Sequence, residues 1–315
     1  MKQTEMGDHG MNGIIRRALP ALLLCALLAG GAAAEGSLSF TDDLGREVAV
    51  SGRPQRVAAL IGSFADIWCL AGGGPTLVAA ADDTFRLFDL PISQDVINLG
   101  ATKAISLEKL LLAEPDLILA SSQTALDVDL EPAFARMGLT AAYFEVSTFE
   151  DYLRMLERCT QLTGRPDRYA LYGEQVRAQV EAARARADGS RPTVLYIRAT
   201  GTSCRVKGSE GSVLGEMLAA LDCENIADSE TSLLETLSME AILRADPDFI
   251  FIVEQSADSN AAREMLNKTL LSGPAWQTLT AVREGRCHVM DPSLYNLKPN
   301  ARWGEAYEAL ADILY

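Results

Sequence analysis

Histidine is scarce in this sequence of 315 residues, which contains only His9 and His288. A site that holds Zn, Mn or Ni with several imidazoles therefore cannot be built from this chain. A Ser-His-Asp triad would need one of the same two residues. His288 lies in an apolar run beside Val289 and Met290, which is typical of a packed strand residue. The shortage of histidine thus argues against binding of a bare metal ion and against triad catalysis.

Basic residues are also few: 28 Lys and Arg stand against 43 Asp and Glu, for a net charge of −15. A nucleic-acid binder needs a basic face for phosphates, so no nucleic-acid partner is expected. No G-x-x-x-x-G-K-[ST] or G-x-S-x-G motif is present, and no G-x-G-x-x-G follows a strand. The glycines at 208, 211 and 215 are more typical of turns before a capped helix. We therefore predict no catalytic residues, no enzyme activity and no cofactor.

Only one long apolar run occurs, at residues 18–29 near the N-terminus. Arg16 and Arg17 precede it, and three alanines ending at Ala34 follow it. This pattern predicts a signal peptide over residues 1–34, with Met11 as an alternative start. An uncleaved anchor helix is the alternative interpretation. We expect a protein secreted across the cytoplasmic membrane and either periplasmic or associated with the cell surface.

Five cysteines follow the predicted signal, at positions 69, 159, 204, 223 and 287. The sequence has no C-x-x-C pair that would suggest a metal site. Most of these cysteines are most simply interpreted as buried small apolar residues. An odd number outside the cytosol requires a free thiol or an intermolecular link. A disulfide between Cys204 and Cys223 stays open.

Short apolar strands alternate with helical segments over residues 56–144 and again over residues 193–314. Continuous apolar strands in this alternation are typical of a parallel sheet covered on both faces. Residues 82–91 and 198–211 are predicted as polar loops. Between the halves, residues 149–187 show only helical spacing, with a break signalled at Gly164-Arg165-Pro166. We predict an N-terminal lobe at 35–148, a connecting helix or two abutting helices at 149–188, and a C-terminal lobe at 189–315. The last helix is expected to pack back toward the connection.

One segment is repeated in the two halves. Residues 105–119 read ISLEKLLLAEPDLIL and residues 237–251 read LSMEAILRADPDFIF, identical at seven of fifteen positions. Each copy predicts a serine N-cap, a glutamate in the first helical turn, a Pro-Asp turn and a buried strand. Glu108 and Glu240 are equivalent residues. They either stabilise their own helices or form a matched pair that docks on a two-fold symmetric partner.

These features together resemble the solute-binding proteins of ABC importers that bind iron-siderophores, haem and cobalamin. Four features carry the resemblance over residues 35–315: the opening FTDDLGREVAVSGRPQRVAAL, the paired S-x-E…PD segments, the helical connection and the ending YNLKPNARWGEAYEALADIL. It implies an α/β fold of two doubly wound, Rossmann-like lobes joined by a long helix, with ligand in the cleft between them. It also implies that Glu108 and Glu240 pair with arginines of an ABC permease dimer, which carries a cytoplasmic ATPase. A monomer is expected.

The resemblance fixes no ligand motif, so candidate ligand residues are the loop ends that would face the cleft. They are Ser63, Phe64, Asp83, Thr84, Phe85, Ser121, Ser122, Gln123, Arg198, Thr202, Arg205, Gln255 and Tyr295. Arg198 and Arg205 would neutralise carboxylate or catecholate oxygens or haem propionates. Tyr295 would stack on a ring or ligate haem iron. The alternative is that each is an ordinary surface residue.

The predicted cargo is a metal already held by a chelator, because the chain lacks the histidines that bind bare Zn or Mn in related proteins. A ferric siderophore is placed first, then haem or a corrinoid. Two other functions stay open: a secreted α/β hydrolase-type enzyme using carboxylates such as Asp82, Asp83 and Glu254, and a two-lobed sensor or chaperone subunit without transport.

Overall fold

The computed structural model describes residues 37–255 and 259–315. The predicted signal peptide, 1–34, lies outside the described residues. Ser37–Tyr315 forms one compact unit. Within the described ranges, no helix is long and apolar enough to cross a membrane.

The unit opens with a hairpin, made of β1 (Leu38–Thr41) and antiparallel β2 (Glu47–Val50). The carboxylate of Asp42 accepts hydrogen bonds from the Leu44 and Arg46 amides, at 3.1 and 3.0 Å, and so closes the turn. The same carboxylate accepts from the amide of Tyr143 at 3.2 Å. The hairpin is therefore fastened to the first lobe.

The first lobe contains a five-stranded parallel sheet in the order β5-β4-β3-β6-β7, the arrangement of a doubly wound fold. Its elements are β3 (Val57–Ala59), α1 (Gly62–Leu70), β4 (Leu77–Ala80), α2 (Asp82–Leu87), β5 (Ile97–Asn98), α3 (Leu107–Leu112), β6 (Leu117–Ser121), α4 (Ala125–Met137) and β7 (Ala141–Phe144).

The predicted polar loop at 82–91 is wrong in its first part, which is helix α2. Asp82 and Asp83 occupy the first turn, where the helix dipole favours acidic side chains, and Arg86 pairs with Asp82 one turn later. Helix α4 likewise starts directly after a polar stretch, at Ala125. In both places polar side chains at a helix start resemble a loop in the sequence.

The connection between the lobes consists of several helical segments rather than one straight helix. They are α5 (Phe149–Thr163), α6 (Pro166–Tyr169), a π-helical turn (Ala170–Glu174) and α7 (Gln175–Arg184). Helix α5 starts in a capping box formed by Thr148 and Asp151, and it ends at Gly164 in the left-handed conformation, with φ of 67°. Pro166 then opens the next helix, as the sequence break indicated.

The second lobe contains parallel strands in the order β10-β8-β11-β12, with β9 antiparallel to β8. Its elements are β8 (Thr193–Ala199), β9 (Cys204–Lys207), α8 (Val213–Ala220), β10 (Glu224–Asn225), α9 (Ile226–Ser229), α10 (Ser232–Glu235), α11 (Met239–Ala245), β11 (Phe249–Glu254), α12 (Ser259–Leu266), α13 (Thr280–Arg283), β12 (Cys287–Met290), α14 (Pro292–Tyr295) and α15 (Trp303–Leu314). A π-helical turn, Asn267–Leu271, follows α12.

The predicted loop at 198–211 is corrected by β9. The amide of Thr200 donates to the Ser203 carbonyl at 2.8 Å, and the Thr200 hydroxyl accepts from the Ser203 amide at 3.0 Å. These bonds close a tight turn, so the chain returns beside β8 instead of leaving the sheet.

The repeated segments have the same structural role in both lobes. Ser106 caps α3 and Ser238 caps α11, each accepting from a backbone amide three residues later, which confirms the predicted cap at Ser106. The carboxylate of Asp116 accepts from the Gln55 and Arg56 amides just before β3. Asp248 accepts from the amide and hydroxyl of Thr193, at the start of β8. The Pro-Asp turn therefore holds the first strand of each sheet beside the strand that follows the turn.

Helix α15 packs against α7. Gly304 lies so close to α7 that a Cβ there would be 2.7 Å from the Cβ of Gln179. Arg186, just beyond α7, pairs with Asp312 and donates to the Ala311 carbonyl. At its start, α15 also contacts α5, since the rings of Trp303 and Phe149 are 5.9 Å apart.

All five cysteines of the described chain are free thiols, so Cys204 and Cys223 are not joined in this structure. Burial raises the pKa of the Cys69 and Cys223 thiols to about 12. These two behave as apolar side chains rather than as reactive thiolates.

Candidate functional site

The carboxyl ends of the first-lobe strands bring Gly62, Ser63 and Asp83 together. Asp83 Oδ1 accepts from the Gly62 amide at 3.0 Å, and burial raises the pKa of the Asp83 carboxyl. A Cβ on Gly62 would lie 2.8 Å from the Thr84 amide nitrogen, so glycine allows α1 and α2 to start side by side. The hydroxyl oxygens of Ser63 and Thr84 are buried and have no hydrogen-bond partner. Polar groups of two helix starts thus converge at this edge of the sheet.

The end of β6 adds a second polar group to the same edge. Asp127 Oδ2 accepts from the Ser121 amide at 2.8 Å, while Asp127 Oδ1 has no partner. Burial, with a smaller contribution from the nearby Asp83, raises the pKa of the Asp127 carboxyl to about 7. Gln123 donates to Glu145 and Ser147, at 2.9 and 2.8 Å, so it is held against the end of β7.

The second lobe presents three cations on one face, formed by Arg198 on β8 with Arg205 and Lys207 on β9. We call this set the basic face. Arg198 lies opposite Arg205, and Lys207 lies opposite Tyr196, so all three side chains project from the same side of the ladder. None of the three forms an ion pair within the described residues. Burial and the two neighbouring arginines lower the pKa of Lys207. Uncompensated positive charge in so acidic a chain indicates a site for an anion.

The loop after α14 contacts both lobes. The Asn300 side-chain amide donates to the Ser63 carbonyl at 2.9 Å and to Asp66 Oδ2 at 2.8 Å. Two residues earlier, burial lowers the pKa of Lys298, an effect that the nearby Asp83 opposes. On the other side, Asn296 accepts from Arg198 at 3.4 Å. Asn300 is fully buried and has φ of 52°, a left-handed value that asparagine tolerates better than most residues. This loop therefore connects the polar edge of the first lobe to the basic face of the second.

The predicted ligand residues differ in exposure. Arg198, Asp83 and Ser122 are half-buried, and the exposed ones are Phe85, Gln123, Thr202, Arg205 and Gln255. Gln255 follows β11, and its amide donates to the Ala199 carbonyl at 2.7 Å, so it lies near the end of β8. Ser63, Thr84 and Ser121 are at most 3% exposed.

Phe64 and Tyr295 require correction as predicted ligand contacts. Phe64 is fully buried and packs edge-on against Phe144, with ring centroids 6.3 Å apart. Tyr295 is 3% exposed, and its hydroxyl donates to the Ala306 carbonyl at 3.0 Å. Because both side chains are packed in the core, neither one faces a cleft. Tyr295 cannot stack on a ring or ligate haem iron from this position.

The carboxylates of the enzyme alternative are not assembled into a pair. Asp82 bonds to Arg86 and Asn98 in the first lobe, whereas Glu254 pairs with Arg263 in the second. Among residues 37–255 and 259–315, no group of three or more His, Cys, Asp and Glu could hold a metal ion. His288 stacks on the Phe251 ring at 5.8 Å, in agreement with its predicted role as a packed strand residue.

Sequence reasoning missed Lys207, Lys298 and Asn300. The alternation in Cys-Arg-Val-Lys, residues 204–207, places Arg205 and Lys207 on one face of a strand, and that signal was available. Nothing local in the sequence indicates that Asn300 contacts residues 63 and 66, more than 230 positions earlier.

Comparison with known proteins identifies the family. The sequence profile described as "Periplasmic binding protein" matches residues 57–294, which include both sheets and the connection between them. The chain belongs to the periplasmic binding protein family. This membership confirms the resemblance drawn from the sequence. It is a family of binding proteins rather than enzymes.

Individual relatives are distant. A vitamin B12-binding protein of Pectobacterium atrosepticum is 25% identical over 205 residues, covering 63% of this chain and 71% of the relative. The periplasmic heme-binding protein RhuT from Roseiflexus sp. RS-1 is 22% identical, with a TM-score of 0.66 over 83% of this chain and 98% of that one. Staphylococcus aureus SirA, solved with staphyloferrin B, is 20% identical, with a TM-score of 0.65 over 88% and 97%. These structures confirm the two-lobed α/β fold.

Proposed function

We propose that this protein is an extracytoplasmic solute-binding protein that captures a chelated metal compound and delivers it to an ABC permease. The basic face carries the proposal, because Arg198, Arg205 and Lys207 are three cations without an ion-pair partner among the described residues. They suit a compound rich in carboxylate or catecholate oxygens. A ferric siderophore is therefore placed first, then haem, then a corrinoid. The ligands for which the relatives are named or with which they were solved, vitamin B12, haem and staphyloferrin B, support this class of cargo.

The proposed cleft has the polar edge of the first lobe on one side and the basic face on the other. The loop that carries Asn296, Lys298 and Asn300 lies between them. Arg198 and Arg205 would hold the anionic oxygens of the chelate, while the exposed Phe85 and Gln123 would contact its first-lobe side. The iron or cobalt arrives inside the cargo, so the protein supplies no metal ligand of its own.

Delivery is proposed to use Glu108 and Glu240, which are exposed and have no hydrogen-bond or ion-pair partner among the described residues. Their partner would be a permease dimer that carries a cytoplasmic ATPase. The protein would act as a monomer, in the periplasm or held at the cell surface. No observation favours the enzyme or sensor alternatives.

A thermal-shift screen tests the cargo class with a ferric carboxylate siderophore, a ferric catecholate, haem and cobalamin. A compound at about 100 times its Kd stabilises the folded state by about 2.7 kcal/mol, which raises Tm by several degrees. We expect a ferric siderophore or haem to do so. The double variant Arg198→Gln, Arg205→Gln should bind that compound at least about tenfold more weakly, since each charge-assisted hydrogen bond contributes about 1.5–3 kcal/mol.

Arg136→Gln is the matched control, because Arg136 is exposed on α4 and away from the basic face. A shift with cobalamin alone would reverse the proposed order of ligands. If none of the four compounds changes Tm, the proposed cargo class is wrong.

A further inference from the structure

The two repeated helices expose the same pair of side chains. In α3, Glu108 is exposed and Leu111, three residues later, is 43% exposed. In α11, Glu240 is exposed and Leu243, again three residues later, is 37% exposed. Residues three apart lie on one side of a helix, so each glutamate has an apolar neighbour on the solvent side.

The exposure of these leucines is not a by-product of poor packing. Each helix buries its other side completely, through Leu110 in α3 and Ile242 in α11, both 0% exposed. Leu112, at the next position of α3, is 73% exposed, the highest value among the large apolar side chains of the described residues. Leu111 and Leu112 are adjacent, so α3 exposes continuous apolar surface beside Glu108, and contiguous exposed apolar surface is typical of protein contact sites.

We infer that Glu108 with Leu111 and Glu240 with Leu243 form two equivalent contact pairs for the permease dimer, each inserting its leucine into an apolar socket beside a basic residue. The inference rests on the proposed function and adds an apolar contact to the charged one. The partner is the permease because two copies of one surface fit the two identical subunits of a two-fold dimer. The unpaired carboxylates require positive charge on that partner.

The two contact pairs differ at the position after the leucine. The first lobe has the exposed Leu112, whereas the equivalent Arg244 pairs with Glu230 at 2.7 Å. The first lobe therefore offers more apolar area, and the second offers a charged pair that stays solvated. On a symmetric permease, the first-lobe contact should be the more sensitive to loss of its leucines.

The experiment begins with a photo-crosslinking amino acid at position 111 or 243 in intact cells, to identify the permease. Binding of the full-length protein to the purified permease–ATPase complex in lipid nanodiscs is then measured for Leu111→Ser with Leu112→Ser, for Leu243→Ser and for Glu108→Ala with Glu240→Ala. Leu171→Ser is the control, since Leu171 is 41% exposed on the connection between the lobes. Tm and ligand affinity are measured for every variant.

We expect the leucine variants to bind the complex about tenfold more weakly, with the first-lobe pair affected most, while Tm, ligand affinity and the control stay unchanged. If the glutamate variant loses binding and the leucine variants do not, the inference is overturned and the proposed function stands. If neither loses binding, both fail. If the parent protein binds to empty nanodiscs and the leucine changes abolish that binding, the leucines contact lipid rather than the permease, and the inference is overturned.

Discussion

Buried polar residues lie at the edge of the first sheet, and Asp127 is one of them. Asp127 is fully buried in α4, yet only one of its carboxylate oxygens accepts a hydrogen bond. Burial raises the pKa of its carboxyl to about 7, far above the ordinary value near 4 for aspartate. The folded state therefore holds a proton on Asp127 across a pH range in which the unfolded chain has lost it.

This raised pKa predicts how the stability of the protein depends on pH. The contribution of this proton to the free energy of unfolding is complete below about pH 4. It is lost as the pH rises toward 7, because in this range the folded state keeps a proton that the unfolded chain has released. Asp127→Asn mimics the protonated form and should be more stable than the parent at pH 8, by roughly 2 kcal/mol. The two proteins should have nearly equal stability below pH 4. Urea unfolding followed by tryptophan fluorescence at pH 4, 6 and 8 measures the difference.

Asp129→Asn provides the control, because Asp129 is an exposed aspartate of the same helix. A stability difference for Asp127→Asn that is the same at all three pH values would show that the carboxyl ionises normally in the folded protein.

Helices α7 and α15 depend on a glycine for their close approach. Gly304 in α15 faces Gln179 in α7. A change from glycine to alanine inside a helix normally stabilises it by about 0.5–1 kcal/mol. Here the new methyl group would lie 2.7 Å from the Gln179 Cβ, so the two helices would have to separate.

Gly304→Ala should therefore destabilise the protein, by about 1–3 kcal/mol, as overpacking of a close contact does. Thermal unfolding measures the change in Tm, and Glu308→Ala, on the exposed side of α15, should leave it nearly unchanged. A Tm equal to or above that of the parent would mean that Gln179 and α7 move to accommodate the methyl group without loss of stability.

At the same scale, the sequence predicts what depends on neighbours along the chain. The cap at Ser106, the Pro-Asp turns and the apolar strands follow from local spacing, and the structure contains them all. Helix α2 and strand β9 were missed because each lies in a polar stretch whose structure depends on a few specific bonds, such as that of Arg86 with Asp82. The sequence of residues 198–207 shows most of the basic face. Only the pairing of β8 with β9 shows that its three side chains project from the same side of the sheet.

Across the whole molecule, Asn300 connects the last part of the chain to the first lobe. Its side chain bonds to the Ser63 carbonyl and to Asp66, whose carboxyl has its pKa raised by burial and lowered by this contact. No local pattern predicts such a contact, because its partners are distant in sequence.

Replacing Asn300 measures what this contact contributes. Asn300→Gly keeps the φ of 52° accessible and removes both hydrogen bonds, so it should lower the free energy of unfolding by about 1–3 kcal/mol. Asn300→Ala should cost about 1 kcal/mol more, since alanine is strained at this φ. Urea unfolding compares the three proteins. A glycine variant as stable as the parent would show that water replaces the side chain without loss.

The Asn300 contact also constrains the order in which the molecule is completed. Asn300 follows Ser63 and Asp66 by more than 230 residues, so this contact is non-local and closes a very long loop of the chain. Both sheets can assemble before that loop closes, since their strands lie within residues 57–144 and 193–290. Until residues 296–300 pack in place, however, neither lobe has the segment that contacts them both. A folding intermediate with both sheets formed would therefore still lack the proposed binding site, which is completed last.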